Sequence, residues 1–206
     1  SFVDWKMVED SIGLSSNYKT SQFIANKSIT LVKDDKNLIP MDPSSLKKIS
    51  HMILTTDEKA NDMLSILHRD LRRTHSGIEK IVVNYKLNDN KIKGIIDDLG
   101  DTDLLVVSML IRIRMDKGES TIDSTHAVLL EKIKEAEIPS IGISFGSPYL
   151  PSYDFLDAYI CTYGYGSISV KAAANAIWGR SNIEGKLPVM LNNQYKKGHG
   201  INKKSR

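Results

Sequence analysis

The chain has 206 residues, 41% of them hydrophobic and 26% charged, with a formal net charge of +3. That length and balance suit one sizeable globular core with a short extension. No apolar run reaches the roughly 18 residues needed to span a bilayer, no secretory leader is recognisable, and the single cysteine, Cys161, excludes an internal disulfide.

Residues 1–17 read as an N-terminal linker or extension. Phe2, Trp5, Val8 and Ile12 recur at helical spacing, which predicts a short helix that Gly13 stops. A second helix is expected over 18–27, with Phe23 and Ile24 turned inward. Strands and helices then alternate. Strands are predicted over 29–33, 48–55, 80–85, 104–109, 140–145 and 158–162, and a closing strand over 187–191. Several are near-continuous apolar runs, such as Leu104–Leu105–Val106–Val107, which suit strands covered on both faces. Helices are predicted over 58–73, 89–99, 124–137 and 167–178. The first carries Ala60, Met63, Leu64 and Leu67 on one face; the third carries Ala127, Leu130 and Ile133 behind Ser124, a candidate cap. This alternation predicts an α/β fold, a three-layer αβα sandwich around a mainly parallel sheet of about six strands. The sandwich domain is expected over 18–202, with a basic tail over 203–206. The tail reads as a solvated or frayed terminus, because no aromatic-interleaved basic patch supports nucleic-acid binding.

Five features could carry chemistry. Gly142–Ile143–Ser144–Phe145–Gly146 matches a nucleophile elbow, with Asp154 or Asp157 and His199 following in hydrolase order. Pro151 then prevents the helix that an elbow must enter, so a buried strand is the preferred reading. Tyr163–Gly164–Tyr165–Gly166–Ser167 could cradle a phosphate, yet Ser169 stands where a dinucleotide fingerprint needs glycine, and a tight turn capped by Ser167 is preferred. Arg112 and Arg114 lie two apart just past a central strand, opening a loop over 111–123 that also holds Asp116, Lys117 and Glu119. α/β sheets bind ligands at that end, so Arg112, Arg114 and Asp116 are the candidate contacts to a substrate or to a neighbouring domain. Carboxylates are plentiful, but a glycosidase needs two about 5 to 9.5 Å apart, and none can be paired from sequence. Asp97, Asp98, Asp101 and Asp103 read as solvation of a helix end and loop. The five histidines, His51, His68, His75, His126 and His199, show no metal-ligand spacing, so no metal and no cofactor is expected. Cys161 reads as a buried small hydrophobe.

The stretch from Ile29, ITLVKDDKNLIP, resembles the opening of the C-terminal domain of family 3 glycoside hydrolases. The LLVVSMLIRIRMDKG and IPSIGISFGSPYLPSYD segments and the AAANAIWGRSNIEGKLPV ending extend the likeness from about Tyr18 to Asn202. Together they resemble the branch that cleaves β-N-acetylglucosaminides. The resemblance implies an αβα sandwich preceded by a TIM barrel that owns the aspartate nucleophile and, in this branch, a histidine acid/base near a K-H-F-P-G-H-G-type motif. No such motif occurs here; Lys197–Gly198–His199–Gly200 only echoes it. In the β-glucosidase branch the acid/base is a glutamate from the loop corresponding to 111–123, where the matching positions near Ile113 and Arg114 hold no carboxylate. Glu119 is the weak candidate that remains. The expected parent is therefore a retaining β-N-acetylhexosaminidase, with this chain inactive alone and partnered by the barrel and a carbohydrate substrate. A non-catalytic domain that binds carbohydrate or protein is the alternative, and a β-glucosidase-type domain supplying its acid/base is the second. No nucleic acid and no membrane span are expected. The residues assign no compartment, though a periplasmic or secreted bacterial parent is the expected setting.

Overall fold

The computed structural model describes Val8, residues 12–113 and residues 121–206. Its elements run α1 (Ser15–Ser28), β1 (Thr30–Asp34), β2 (Ile49–Leu54), α2 (Glu58–Thr74), β3 (Ile78–Val83), α3 (Asp89–Asp98), β4 (Leu104–Ile111), α4 (Ser124–Glu135), β5 (Ser140–Gly146), β6 (Ala158–Cys161) and α5 (Ser167–Ile177). The six strands form one sheet in the order β1-β6-β5-β4-β2-β3. All pairings are parallel except β1 on β6, which is antiparallel at the edge. The fold is the predicted α/β sandwich.

Strand alternation sorts the core into two layers. Ile49, Ile53, Leu104, Val106, Ile141, Ile143, Ala158 and Ile160 face one side, where Leu64, Leu67 and Leu71 of α2 and Val170, Ala173 and Ile177 of α5 cover them. Met52, Leu54, Leu105, Val107, Met109, Tyr159 and Cys161 face the other, under Ile92 of α3 and Leu129, Leu130 and Ile133 of α4. Both faces are thus dry, which is why the central strands read as unbroken apolar runs.

Several local expectations are corrected. Phe23 and Ile24 point away from the domain, 62% and 60% exposed. α1 instead meets α5 through two polar contacts, Gln22 Nε2 donating to the Ile168 carbonyl (3.2 Å) and Asn175 Nδ2 donating to Asn26 Oδ1 (3.4 Å), with Ala25 packed against the core beside them. The cap of α4 is Asp123, whose carboxylate accepts from the Thr125 N–H, and Ser124 is the first helical residue. Gly166, not Ser167, takes the cap position of α5, with no side-chain cap bond. His126 is buried, and its Nε2 donates to the Tyr85 carbonyl at 3.0 Å. Asp103 does more than solvate a loop, since it accepts the Lys47 and Lys48 N–H groups at 2.7 and 2.8 Å.

Residues 187–191 form no strand. Pro188 has no N–H to give a ladder, and Leu187 and Leu191 bond instead to the carbonyls of His199 and Tyr195. The basic tail is not frayed but folded back on β1. Ile201 bridges Leu31, Lys203 bridges Ile183, and Lys203 Nζ lies 2.9 Å from the buried Asp34 carboxylate. Arg206 closes on the Gly179 and Pro40 carbonyls, both at 2.9 Å. His199 Nε2 is held by a 2.7 Å bond to the Val32 carbonyl.

Candidate functional site

The sheet order sets the position of the site. β2 passes through α2 to β3 on one side, while β4 passes through α4 to β5 on the other. The carboxyl ends of β2 and β4, which are neighbours, therefore diverge to opposite faces and leave a crevice between them. Open α/β sheets bind ligands at such a point.

Asp57, three residues beyond β2, and Arg112, the residue after β4, meet across that crevice with Nη1 and Oδ2 2.9 Å apart. The Arg112 guanidinium also lies 4.8 Å from the centre of the Tyr165 ring, a cation–π distance. Asp57 is seated by its own N–H, which donates to Thr55 Oγ1 at 3.0 Å. Arg112 is thus held on two sides before any ligand arrives, yet its side chain stays 40% exposed.

Beside this bracket opens a cleft of about 370 Å³, whose lining includes Ile113, Ser147, Pro148 and Tyr163. Its floor depends on Gly146. That residue has φ of 98°, and a Cβ there would sit 2.4 Å from the Ile111 carbonyl oxygen, so only glycine lets β5 end against β4. The Pro148 carbonyl accepts from Tyr159 Oη at 2.8 Å and from Tyr153 Oη at 3.3 Å, which fixes one wall. Tyr163 donates from Oη to Thr30 Oγ1 at 2.9 Å, and burial pushes its phenol up to about 12, so it serves as a wall and not as an acid near neutral pH.

Of the residues singled out from sequence, Arg112 is at the site. Arg114, Asp116 and Glu119 lie outside the described residues. Asp57 and Tyr165 gave no signal of their own: Asp57 comes from a turn more than fifty residues earlier, and Tyr165 sat inside a motif read for its glycines. The Tyr-x-Tyr spacing after β6, with an Arg just past β4, two strands away in the sheet, was the available hint.

The other candidates resolve into structure. Ser144 is fully buried in β5 and donates to the Ile160 carbonyl at 3.4 Å. Asp157 is buried against Lys134 (2.6 Å) and Lys36 (3.1 Å), and Asp154 is 88% exposed beside Lys33. No hydrolase triad forms from these residues and His199. Thr162 Oγ1 donates to the Gly164 carbonyl at 2.7 Å and Ser169 Oγ fills the space beside Gly164, so the glycine turn is packed by its own chain. Cys161 is buried, and desolvation pushes its thiol up to about 12. Among the described residues no group of three or more metal-ligating side chains occurs and no helix is long and apolar enough to cross a membrane.

No protein-family model matches the chain, and no curated protein does. Solved structures do. A family 3 β-N-acetylglucosaminidase from Paenibacillus sp. str. FPU-7 matches at 15% identity and TM-score 0.65, covering 93% of this chain and 35% of that one. A fungal multi-domain β-N-acetylglucosaminidase of the same family matches at 19% and 0.67, covering 93% and 20%. A β-glucosidase involved in saponin metabolism from intestinal bacteria matches at 14% and 0.71, covering 97% and 40%. At these identities the likeness is one of fold. The chain spans between a fifth and two fifths of these proteins, and the fold is that of a part found within family 3 glycosidases.

Proposed function

We propose that this chain is the C-terminal, nucleophile-free domain of a family 3 glycoside hydrolase whose parent hydrolyses terminal β-linked N-acetylglucosamine with retention. The observation that carries the reading is the asymmetry of the structural match: nearly all of this chain against a minor part of each glycosidase. The branch rests on the motif resemblance, and on the missing carboxylate at the positions where a glucosidase-type domain would carry its acid/base. On this reading the barrel supplies the nucleophile and the acid/base. The sandwich supports it, and Arg112, set by Asp57 and Tyr165, edges the substrate cleft. A guanidinium fixed in that way donates to sugar hydroxyls or an acetamido carbonyl without first losing side-chain freedom.

The test is twofold. The coding sequence upstream of Ser1 is expected to encode a barrel with a K-H-x-P-G-H-G-type motif. The encoded enzyme is expected to favour an aryl β-N-acetylglucosaminide over an aryl β-glucoside, and this chain alone to turn over neither. Turnover that is abolished by Glu119→Ala would instead establish the β-glucosidase-type role for the 111–123 loop. A second reading, a carbohydrate-binding domain without catalysis, is favoured by the exposed Tyr165 ring beside Arg112. Titration of the chain with N-acetylglucosamine oligomers, with and without Arg112→Ala, separates it from a scaffold.

A further inference from the structure

Strand register and helix phase gather a set of cationic side chains at the β3 edge of the sheet. His51 of β2 and Lys80 of β3 are direct register partners, so they project from the same face. α2 lies over that face. Its Ser65, His68 and Arg72 recur at i, i+3 and i+7 and share one stripe, beside the Leu64, Leu67 and Leu71 stripe that enters the core. Two contacts fix the overlap. The Nδ1 atoms of His51 and His68 are 3.4 Å apart, and Lys80 Nζ donates to Ser65 Oγ at 2.8 Å. Lys80 and Arg72 are the charges that act on His68, and both oppose a proton there.

No carboxylate answers this group. Glu79, on the opposite face of β3 from Lys80, pairs with Lys48, and Asp70 pairs with Arg180. Asp62, on the same side of α2, lies roughly 9 Å along the axis from His68. Arg72 has no ion pair among the described residues. Arg72 and Arg73 stand in the last turn of α2, where a cation complements the helix dipole. That accounts for a cation at the helix end, but not for an ammonium and an imidazole pair gathered on the same side. His68 is half-buried with Nδ1 committed to His51, which leaves Nε2 as its ring nitrogen for a ligand. A guanidinium fork, an ammonium and an imidazole N–H together suit the oxygens of one tetrahedral anion.

We infer that Arg72, Lys80 and His68 form a binding site for a doubly charged tetrahedral oxyanion, a phosphate or sulfate group that is free or carried as an ester. Occupancy is coupled to one proton taken from solvent. With His68 protonated, its Nδ1–H donates to His51 Nδ1 and its Nε2–H donates to the anion. His51 keeps its own proton on Nε2, which donates to Ser108 Oγ 2.8 Å away. The pair thus accepts that proton without losing either hydrogen bond. A second proton would set two Nδ1–H groups against each other, so the coupling stops at one.

Amide NMR shifts over residues 65–80, followed as this chain is titrated with sodium sulfate at an ionic strength held constant with chloride, test the site. Sulfate remains doubly charged across the range used, so any pH dependence belongs to the protein. Saturable binding is expected, at least threefold tighter at about pH 5.5 than at about pH 7.5, because an anion that favours the proton binds better where the proton is available. Arg72→Gln and Lys80→Gln are each expected to weaken binding at least fivefold and, being exposed, to leave the melting temperature within about 2 °C. His68→Gln, whose amide can still meet His51, is expected to remove the pH dependence. Parallel titrations with inorganic phosphate and glucose 6-phosphate identify the source: the tighter of the two assigns the site to the free ion or to the ester. Shifts that never saturate, or that persist unchanged in both the Arg72 and the Lys80 variants, overturn the site. A pH dependence that survives His68→Gln overturns the coupling.

Discussion

His51 of β2 and His68 of α2 stack with ring centroids 5.5 Å apart, planes within 10° of parallel and Nδ1 atoms 3.4 Å apart. His51 is fully buried in β2, and its Nε2 shares a 2.8 Å hydrogen bond with Ser108. Burial, then the neighbouring His68 and Lys80, push His51 down to about 3; burial, Lys80 and Arg72 lower His68. Groups whose folded pKa is depressed stabilise the neutral form, so the fold keeps that contribution above pH 6.5 and loses it as pH falls toward 3. At about 1.4 kcal/mol per unit, the loss from His51 is of order 4 kcal/mol at the acid end. Urea midpoints are expected to fall steadily below pH 6.5. A midpoint flat between pH 7 and 4 would contradict the pairing.

Arg112→Ala is expected to cost the fold less than about 1 kcal/mol, because the ion pair with Asp57 is partly exposed. Its effect belongs to the cleft. In the parent enzyme proposed above, kcat/KM should fall, and Arg112→Lys should rescue little, since an ammonium cannot both pair with Asp57 and lie flat on Tyr165. Unaltered kinetics beside an unaltered melting temperature would remove Arg112 from the site.

The Asp34 side chain is 1% exposed, accepts the Leu38 N–H at 2.7 Å, and pairs with Lys203 at 2.9 Å. Asp34→Ala strands a backbone donor and a partly buried ammonium, and a loss of about 3 kcal/mol is expected. Lys203→Met is expected to cost less, about 1 kcal/mol, because its end reaches solvent. Denaturant titration of both variants checks the order, and equal losses would contradict it.

Ser144 and Cys161 are expected to be chemically silent. A fluorophosphonate should leave Ser144 unlabelled, and a thiol reagent should modify Cys161 only on unfolding, because a buried thiol held near 12 carries almost no thiolate. Ser144→Ala is expected to shift stability by less than about 1 kcal/mol.

The sheet was legible because its strands are long apolar runs separated by amphipathic helices; each of the six predicted strands that formed lies within two residues of its expected limits. What failed was decided at a distance. Phe23 and Ile24 look like a core pair, but the neighbour that α1 meets is Asn175, 149 residues from Asn26. The 187–191 run has strand composition, yet its backbone partners are His199 and Tyr195 in a turn of their own. At the site, Arg112 was visible because it ends a strand. Its partners were not, since Asp57 and Tyr165 come to it only through strand order.

The antiparallel edge has a consequence for synthesis. Thr30 finds its ladder partner, Cys161, only about 130 residues later, and Leu31 finds Ile201 later still. A ribosome therefore delivers β1 long before anything can zip to it. That segment must wait, apolar and unpaired, until β6 emerges, and a nascent chain stalled before Cys161 would present a ready template for aggregation.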